Sequence, residues 1–427
     1  MNNYRSDQVF GISTKVLEPS YVNRGDLDAV IQRDLRRSKH IALRGESKCG
    51  KSWLRQKNIP DAIVVQCRLN KSVSDLYEDI FSQLGISIAI EKSTGGKVSA
   101  TVTAETETGI GLIAKLKASF GFTAEETNDE KSVVVGRDTK DLRFISEVVK
   151  ASERRLVIED YHYLAPSERA AFSFDLKALW DFGVYVVIIG IWSENNLLLH
   201  LNPDLATRVV EHSIFWSQED LREVLKQGGD ALRIKLESSV ERLLIEDAFG
   251  TVGTLQDLTL RLLDEIRVEH TQPKRITIGD RDTYEAVALS HADQLNAVYQ
   301  TFAARVAKGI RQRKKSTGIY AHMLWAVMDA SDAELIEGYS TDAIFKVASG
   351  REPRIQKPNL RQILRKIGEL QVDQEGRGLI LSYDDNKDEV TVVDKQLFLY
   401  RKYATVRWPW EQVLQEIQKD DAFCGDG

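Results

Sequence analysis

The sequence predicts an α/β fold: a parallel sheet covered by helices, continued by an all-α lid and ended by a small domain of three helices and a β-hairpin. Three observations predict it. Short apolar runs alternate with amphipathic helical stretches through the first half, the pattern of parallel strands joined by crossover helices. A loop bounded by glycines, Gly45-Glu46-Ser47-Lys48-Cys49-Gly50-Lys51-Ser52, directly follows the apolar run Ile41-Ala42-Leu43. Apolar residues then recur at helical spacing from Gln218 to about Gly309, and past residue 316 helices give way to two extended segments.

The loop reads G-x-x-x-x-G-K-S. A buried strand delivers the chain to the turn, and glycines let backbone N–H groups face a phosphate. A helix begins at Lys51 with its positive end toward the anion. Lys51 is placed to reach the β and γ phosphates, and the Ser52 hydroxyl to help hold Mg²⁺. Gly45, Glu46, Ser47, Lys48, Cys49, Gly50, Lys51, Ser52 and the adjoining Trp53 are therefore the candidate contacts to ATP.

Ala62 to Cys67 is a second strand, and a helix near Ser74 to Leu84 carries Leu76, Ile80, Phe81 and Leu84 on one face. The segment from about 90 to 135 breaks the rhythm. Val98, Ala100 and Val102 alternate with Ser and Thr after Gly95-Gly96, which predicts a strand of a hairpin in an inserted element. A helix from Lys140 to Ala151 then leads to Arg155-Leu156-Val157-Ile158-Glu159-Asp160. A mostly apolar strand ending in two carboxylates supplies the second half of a phosphate site: one acid orders Mg²⁺, the other orients the attacking water. His162, two residues on, is expected as a half-buried histidine in a strand-to-helix turn.

A helix from Glu168 to Phe182 precedes the strand Val184 to Ile191, and its polar exit, Trp192-Ser193-Glu194-Asn195, suits a side chain that senses the terminal phosphate. Asn202 to Arg208 is read as a short helix before a last strand, Val209 to Trp216. Three helical stripes follow, through Leu221, Val224 and Leu225; Val240, Leu243, Leu244 and Ala248; and Leu255, Leu258, Leu262, Leu263 and Ile266. In the tail, helices at His322–Asp329, near Thr341–Ala348 and at Pro358–Leu370 precede the extended pair Gly378–Tyr383 and Glu389–Val393. That is the outline of a winged-helix domain, with Arg361, Arg365 and Lys366 on the recognition helix.

Composition narrows the class. The chain has 427 residues, enough for two or three cores. Three cysteines make no disulfide framework or metal cluster and suit a reducing, cytoplasmic setting. No run is long enough to span a membrane. A net charge of −6 argues against a wholesale nucleic-acid coat, although basic residues gather at 305–315 and 351–366. Trp408-Pro409-Trp410 is read as packing cover.

The order of these motifs resembles the P-loop NTPases of the AAA+ and STAND groups, in particular their archaeal-ATPase and origin-recognition-like branch. The resemblance covers nearly the whole chain apart from the insertion. It implies residues 1–216 as the ATPase core, 217–315 as the helical lid and 316–427 as the winged-helix domain. It also implies that Asn23 and Arg24, in Tyr21-Val22-Asn23-Arg24, belong to a box contacting adenine. Ser193 or Asn195 would be the first sensor, and Arg208 would touch the γ-phosphate, often that of a neighbouring subunit. Two departures lean towards a slowly hydrolysing switch: the usual Asp-Glu pair is Glu159-Asp160, with Glu159 on the metal side, and no second sensor arginine stands in Gly253-Thr254-Leu255-Gln256. The expectation is a Mg-dependent ATPase acting as a nucleotide-controlled switch with a protein partner, of the kind used in bacterial or archaeal antiviral defence or signalling, and able to form homo-oligomers. The alternative is an ATP-regulated DNA-binding protein that uses the winged helix.

Overall fold

The computed structural model describes residues 3–68, 70–92, 98–120, 132–135, 141–192, 196–309, 317–372 and 378–425. The chain forms two compact units. One contains residues 23–45 and 51–214; the other contains the amino-terminal segment to Val22, the loop residues 46–50, and everything from Phe215 onward.

The first unit opens with α1 (Leu27–Leu35), β1 (His40–Gly45), α2 (Lys51–Asn58), β2 (Ala62–Gln66) and α3 (Val73–Gln83). Ser72 starts α3 as a reciprocal cap: its hydroxyl accepts from the Asp75 N–H while the Asp75 carboxylate accepts from the Ser72 N–H. Then come β3 (Ile86–Lys92), β4 (Val98–Ala104), α4 (Glu107–Phe120) and β5 (Ser132–Val135), an inserted antiparallel sheet in the order β3-β4-β5. The expected hairpin strand is β4; Gly95 and Gly96 lie outside the described residues.

The unit closes with α5 (Leu142–Ala151), β6 (Arg155–Glu159), α6 (Pro166–Asp181), β7 (Val187–Gly190), α7 (Leu197–Leu201) and β8 (Val209–Ile214). The main sheet runs β2-β6-β7-β1-β8, all parallel. Its central strands β6, β7 and β1 are largely buried on both faces, as a parallel sheet requires, while β8 at one edge is only partly covered. Ala42, Ile63, Leu156, Ile158 and Ile188 meet Leu76, Phe144, Phe172 and Leu176, while Ile41, Leu43, Val157 and Val187 are buried on the other side. Two expected elements change. The Val184 strand shortens to Val187–Gly190, and Asn202–Arg208 is a 3₁₀ turn over Pro203–Leu205, which Pro203 permits only at its first position.

The second unit continues with α8 (Gln218–Leu232), β9 (Ile234–Leu236), α9 (Ser238–Asp247), α10 (Val252–Glu265), β10 (Ile276–Ile278) and α11 (Arg281–Lys308). The expectation of an all-helical stretch is corrected here, because β9 and β10 pair in parallel. Ile234 and Leu236 point inward while Lys235 points out, so a three-residue strand follows from alternation too short to separate from a helix edge in sequence.

The carboxy-terminal part comprises α12 (Ile319–Asp329), α13 (Asp332–Glu337), β11 (Tyr339–Ser340), α14 (Thr341–Arg351), α15 (Lys357–Leu364) and α16 (Ile367–Gln371). The antiparallel strands β12 (Leu381–Asp384) and β13 (Glu389–Val392) follow, then α17 (Gln396–Tyr403) and α18 (Pro409–Gly425). The sheet order β11-β13-β12 and the preceding helices make a winged-helix arrangement. The expected single helix Pro358–Leu370 is two helices that break at Arg365-Lys366.

Candidate nucleotide site

β1 ends at Gly45, and the next residues turn through left-handed backbone at Lys48 (φ +59°) and Gly50 (φ +85°) before α2 starts at Lys51. Gly50 carries that conformation without penalty, whereas Lys48 is strained there. The loop divides between the two units, and each part has its own surroundings.

In the sheet unit, Lys51 Nζ donates to the Gly45 carbonyl at 2.9 Å, so the side chain folds back over the turn where a phosphate would lie. Ser52 is exposed at the helix start and Trp53 is half-buried. Glu159, 6% exposed at the end of β6, accepts from Arg55 Nε at 3.1 Å. Arg55 lies one turn after Lys51 on α2, so the helix that supplies the lysine also neutralises the strand's first carboxylate. Asp160 leaves the strand in left-handed backbone (φ +58°). Its proton affinity is raised, first by burial and then by Glu159, with Lys51 acting against the shift.

His162 follows in the expected turn. Its Nδ1 accepts from the Ile191 N–H at 3.3 Å. Burial, then Lys51 and Arg169, push its pKa down to about 3, so the ring is neutral at ordinary pH. Cys67, past the end of β2, is pushed up to about 12 by burial and by Asp160, which leaves it an unreactive thiol.

The remaining expected contacts are spread more widely. Asn23 accepts from the Asp28 N–H at 3.1 Å beside the buried Arg24. Ser193 and Asn195 lie outside the described residues. Arg208 stands at the start of β8, whose register places Val209 beside His40 and Ile214 beside Gly45. Five residues of strand, roughly 17 Å, separate the two ends. The arginine therefore does not converge on the loop of its own chain. Its guanidinium covers the Trp180 ring at 4.7 Å and donates to the Asp204 carbonyl at 2.6 Å.

In the other unit, residues 46–50 are held by groups that sequence reasoning missed. Trp216 Nε1 donates to the Cys49 carbonyl, and the Gly253 N–H donates to the Lys48 carbonyl, each at 2.9 Å. A side chain at Gly253 would run into Lys48, with a Cβ 2.7 Å from that residue's own Cβ. Lys395 pairs with Glu46 at 2.7 Å, and Lys48 Nζ donates to Gln396 at the start of α17. Gln396 in turn lies 3.3 Å from His291 on α11. In Gly253–Gln256, where a second sensor was lacking, Gln256 accepts from the Gly11 N–H and donates to Ser20, tying down the amino-terminal segment. An acid at position 46 of the loop and a base at 395 were the sequence signal for that pairing, but 349 residues of separation hid it.

The winged-helix arginines are also occupied. Arg361 makes a two-pronged pair with Asp388, and Arg365 Nε donates to Asp385 at 2.8 Å. Asp388 is held well below the usual carboxylate range, chiefly by Arg361. Arg354 pairs with Glu352 and Lys357 with Asp342. Arg305 and Lys308 lie on α11, while 310–316, with the rest of that basic group, fall outside the described residues. No described helix is long and apolar enough to cross a membrane.

Among solved structures, the chain is similar to a Walker-type ATPase of Pyrococcus abyssi at 13% identity and a TM-score of 0.51, over 90% of this chain and 96% of that one. The Orc1 protein of Aeropyrum pernix, solved in complex with DNA, matches at 11% identity and a TM-score of 0.42, over 96% and 98%. A STAND protein of Pyrococcus horikoshii with a tetratricopeptide-repeat sensor matches at 12% identity and 0.36, with 94% of this chain spanning 44% of that one. No protein-family model matches the sequence, and no curated protein matches it either.

Proposed function

We propose that the protein, whose fold is similar to that of a Walker-type ATPase, binds ATP with Mg²⁺ and works as a slowly hydrolysing, nucleotide-controlled switch of the AAA+/STAND kind. The observation that carries the reading is the double hold on the loop. Its Lys51 turns back over the Gly45 carbonyl, while Glu46 and Lys48 are tied to Lys395 and Gln396 of the winged-helix domain.

The residues fit Mg²⁺ by their donors, since Ser52, Glu159 and Asp160 offer hard oxygens. Ser52 and Glu159 would hold the ion, which supplies charge neutralisation to the phosphates. Lys51 and the loop N–H groups bind the phosphate oxygens, and Asp160 orients the attacking water. Arg55 competes with the ion for Glu159, and Asp160 is a short base for its task. Both features support slow turnover.

The switch follows from charge. A polyphosphate on the loop attracts Lys48 away from Gln396 and repels Glu46, so both ties to α17 weaken on binding. The domains proposed are 1–216, 217–315 and 316–427, with the winged helix directed at a protein partner because Arg354, Arg361 and Arg365 are already paired with carboxylates. A DNA-directed role is the second reading, favoured only by the basic residues of 305–315. In the test, Lys51→Ala should abolish ATP binding by calorimetry, and Asp160→Ala should bind ATP yet release no phosphate. Unchanged affinity in the first variant would refute the site, and retained turnover in the second would assign the water to another group.

A further inference from the structure

We propose that His291, on α11, takes up a proton when nucleotide draws Lys48 away from Gln396, so that ATP binding and mild acid act in the same direction on the phosphate loop. The inference rests on the nucleotide reading above and names how the hold on the loop is regulated. Two elements carry it. α10 reaches Lys48 through its backbone, where the Gly253 N–H donates to the Lys48 carbonyl at 2.9 Å. One turn along the same face stands Asp257, whose carboxylate lies 2.9 Å from Arg261 Nε and 3.5 Å from His291 Nε2. α17 reaches Lys48 through a side chain: Gln396 accepts from Lys48 Nζ and turns its amide nitrogen to His291 Nε2 at 3.3 Å.

Donors and acceptors leave one way to fill that chain. An ammonium group donates and never accepts, so the Gln396 oxygen faces Lys48 and its NH₂ faces the histidine. The histidine must then present a lone pair at Nε2, which puts its hydrogen on Nδ1. Nδ1 is buried without a hydrogen-bond partner, and the residue is only 4% exposed. The ring is thus neutral, in the tautomer that leaves a buried N–H unsatisfied, an arrangement that costs free energy. Lys48 imposes that tautomer through Gln396.

Charge points the same way. Burial holds the proton affinity of His291 below the ordinary histidine range; Asp257 opposes that, while Arg261 and Lys48 reinforce it. Those three are the charges acting on the ring, from α10 and from the loop, and α17 contributes the neutral Gln396 amide. When a polyphosphate takes Lys48, one of the two opposing cations leaves and the amide is free to rotate. Nε2 then accepts a proton from solvent: a new N–H bond forms there, Nδ1 keeps its hydrogen, and the imidazolium donates to Asp257. Its charge opposes the return of Lys48. Linkage makes the effect reciprocal. A proton on His291 in the free protein turns the Gln396 oxygen toward the ring, breaks the Lys48 tie and favours nucleotide by the same factor.

The test uses the full chain. NMR of the His291 imidazole, assigned by loss of its signal in His291→Gln or in His291→Asn, follows the ring as pH is varied. In the free protein it should titrate below the ordinary value of about 6.5. Lys48→Ala should raise the midpoint by about one unit, and saturating Mg-ATP should do the same in the unaltered chain. Calorimetry in two buffers of different ionisation enthalpy then measures protons taken up on ATP binding. His291→Gln keeps an acceptor for the Gln396 amide but does not titrate, so protonation of ATP itself cancels between the two proteins. From about pH 7.5 to about pH 5.5, the unaltered chain should gain about threefold in ATP affinity over the variant. A midpoint indifferent to Lys48→Ala would overturn the linkage, and that arm needs no nucleotide. A shift in Lys48→Ala with none on ATP, in a chain that binds ATP by calorimetry, would overturn the coupling and leave the binding reading standing. No ATP binding at all would remove the nucleotide reading and the coupling together.

Discussion

Arg55 decides how the first carboxylate of the site behaves. Glu159 is almost wholly buried, and Arg55 is its cation. Removing one member of such a pair strands the other charge, so Arg55→Ala should cost roughly 3 kcal/mol in urea unfolding, with Arg55→Lys recovering part of it. A loss below about 0.5 kcal/mol would mean the pair is solvent-relaxed. His40 provides a pH test at the same scale. Its Nδ1 accepts from the Val186 N–H and its Nε2 donates to the Leu176 carbonyl, both at 2.9 Å, which holds the neutral ring at the start of the interior strand β1. Burial lowers its pKa to about 4 from an ordinary 6.5. The unfolded chain therefore binds a proton that the folded chain refuses between those values. Stability should fall as pH drops through that window, by about 3 kcal/mol at its acid end, and His40→Gln should flatten the slope between pH 6.5 and 4. Denaturant titrations at several pH values read it directly. Lys51, Glu159 and Asp160 were visible in the sequence because each ends or begins an element with a recognisable pattern. Arg55 was not, because nothing in a polar helix announces which buried acid lies across from it.

Strands and helices of the sheet were legible wherever an apolar run was long enough to need two buried faces, as at Ile41–Leu43 and Leu156–Ile158. The pairing of β9 with β10 escaped because three residues hold too little periodicity. The split between α15 and α16 escaped because Arg365 and Lys366 look like any exposed helical positions. That split matters for function. A basic helix read alone invites a nucleic-acid contact, yet Arg361 and Arg365 spend their charge on Asp388 and Asp385 of the wing. The double variant Arg361→Ala, Arg365→Ala should leave duplex DNA affinity and its salt slope unchanged in anisotropy titrations. A slope that falls by about one for each arginine removed would instead favour the DNA-directed reading.

At the scale of the molecule, the register of β1 with β8 sets Arg208 at the opposite end of the strand pair from Gly45. Any contact between this arginine and a γ-phosphate must then be made by one chain on another. Arg208→Ala should leave ATP binding by a single chain intact while removing an ATP-dependent gain in mass by light scattering. Mixing Arg208→Ala with Asp160→Ala chains should restore some phosphate release if the site is shared between copies, and no recovery would confine the chemistry to one chain.

Trp216, Gly253, Lys395 and Gln396 have a practical meaning for anyone who cuts this protein into pieces. A fragment ending after β8 keeps the lysine, the hydroxyl and both acids, but forfeits every one of these supports for residues 46–50. Severed in that way, the amino-terminal half loses the Trp216 and Gly253 bonds that hold the turn's backbone, and a failure to retain nucleotide would trace to those two missing braces and be an artefact of dissection.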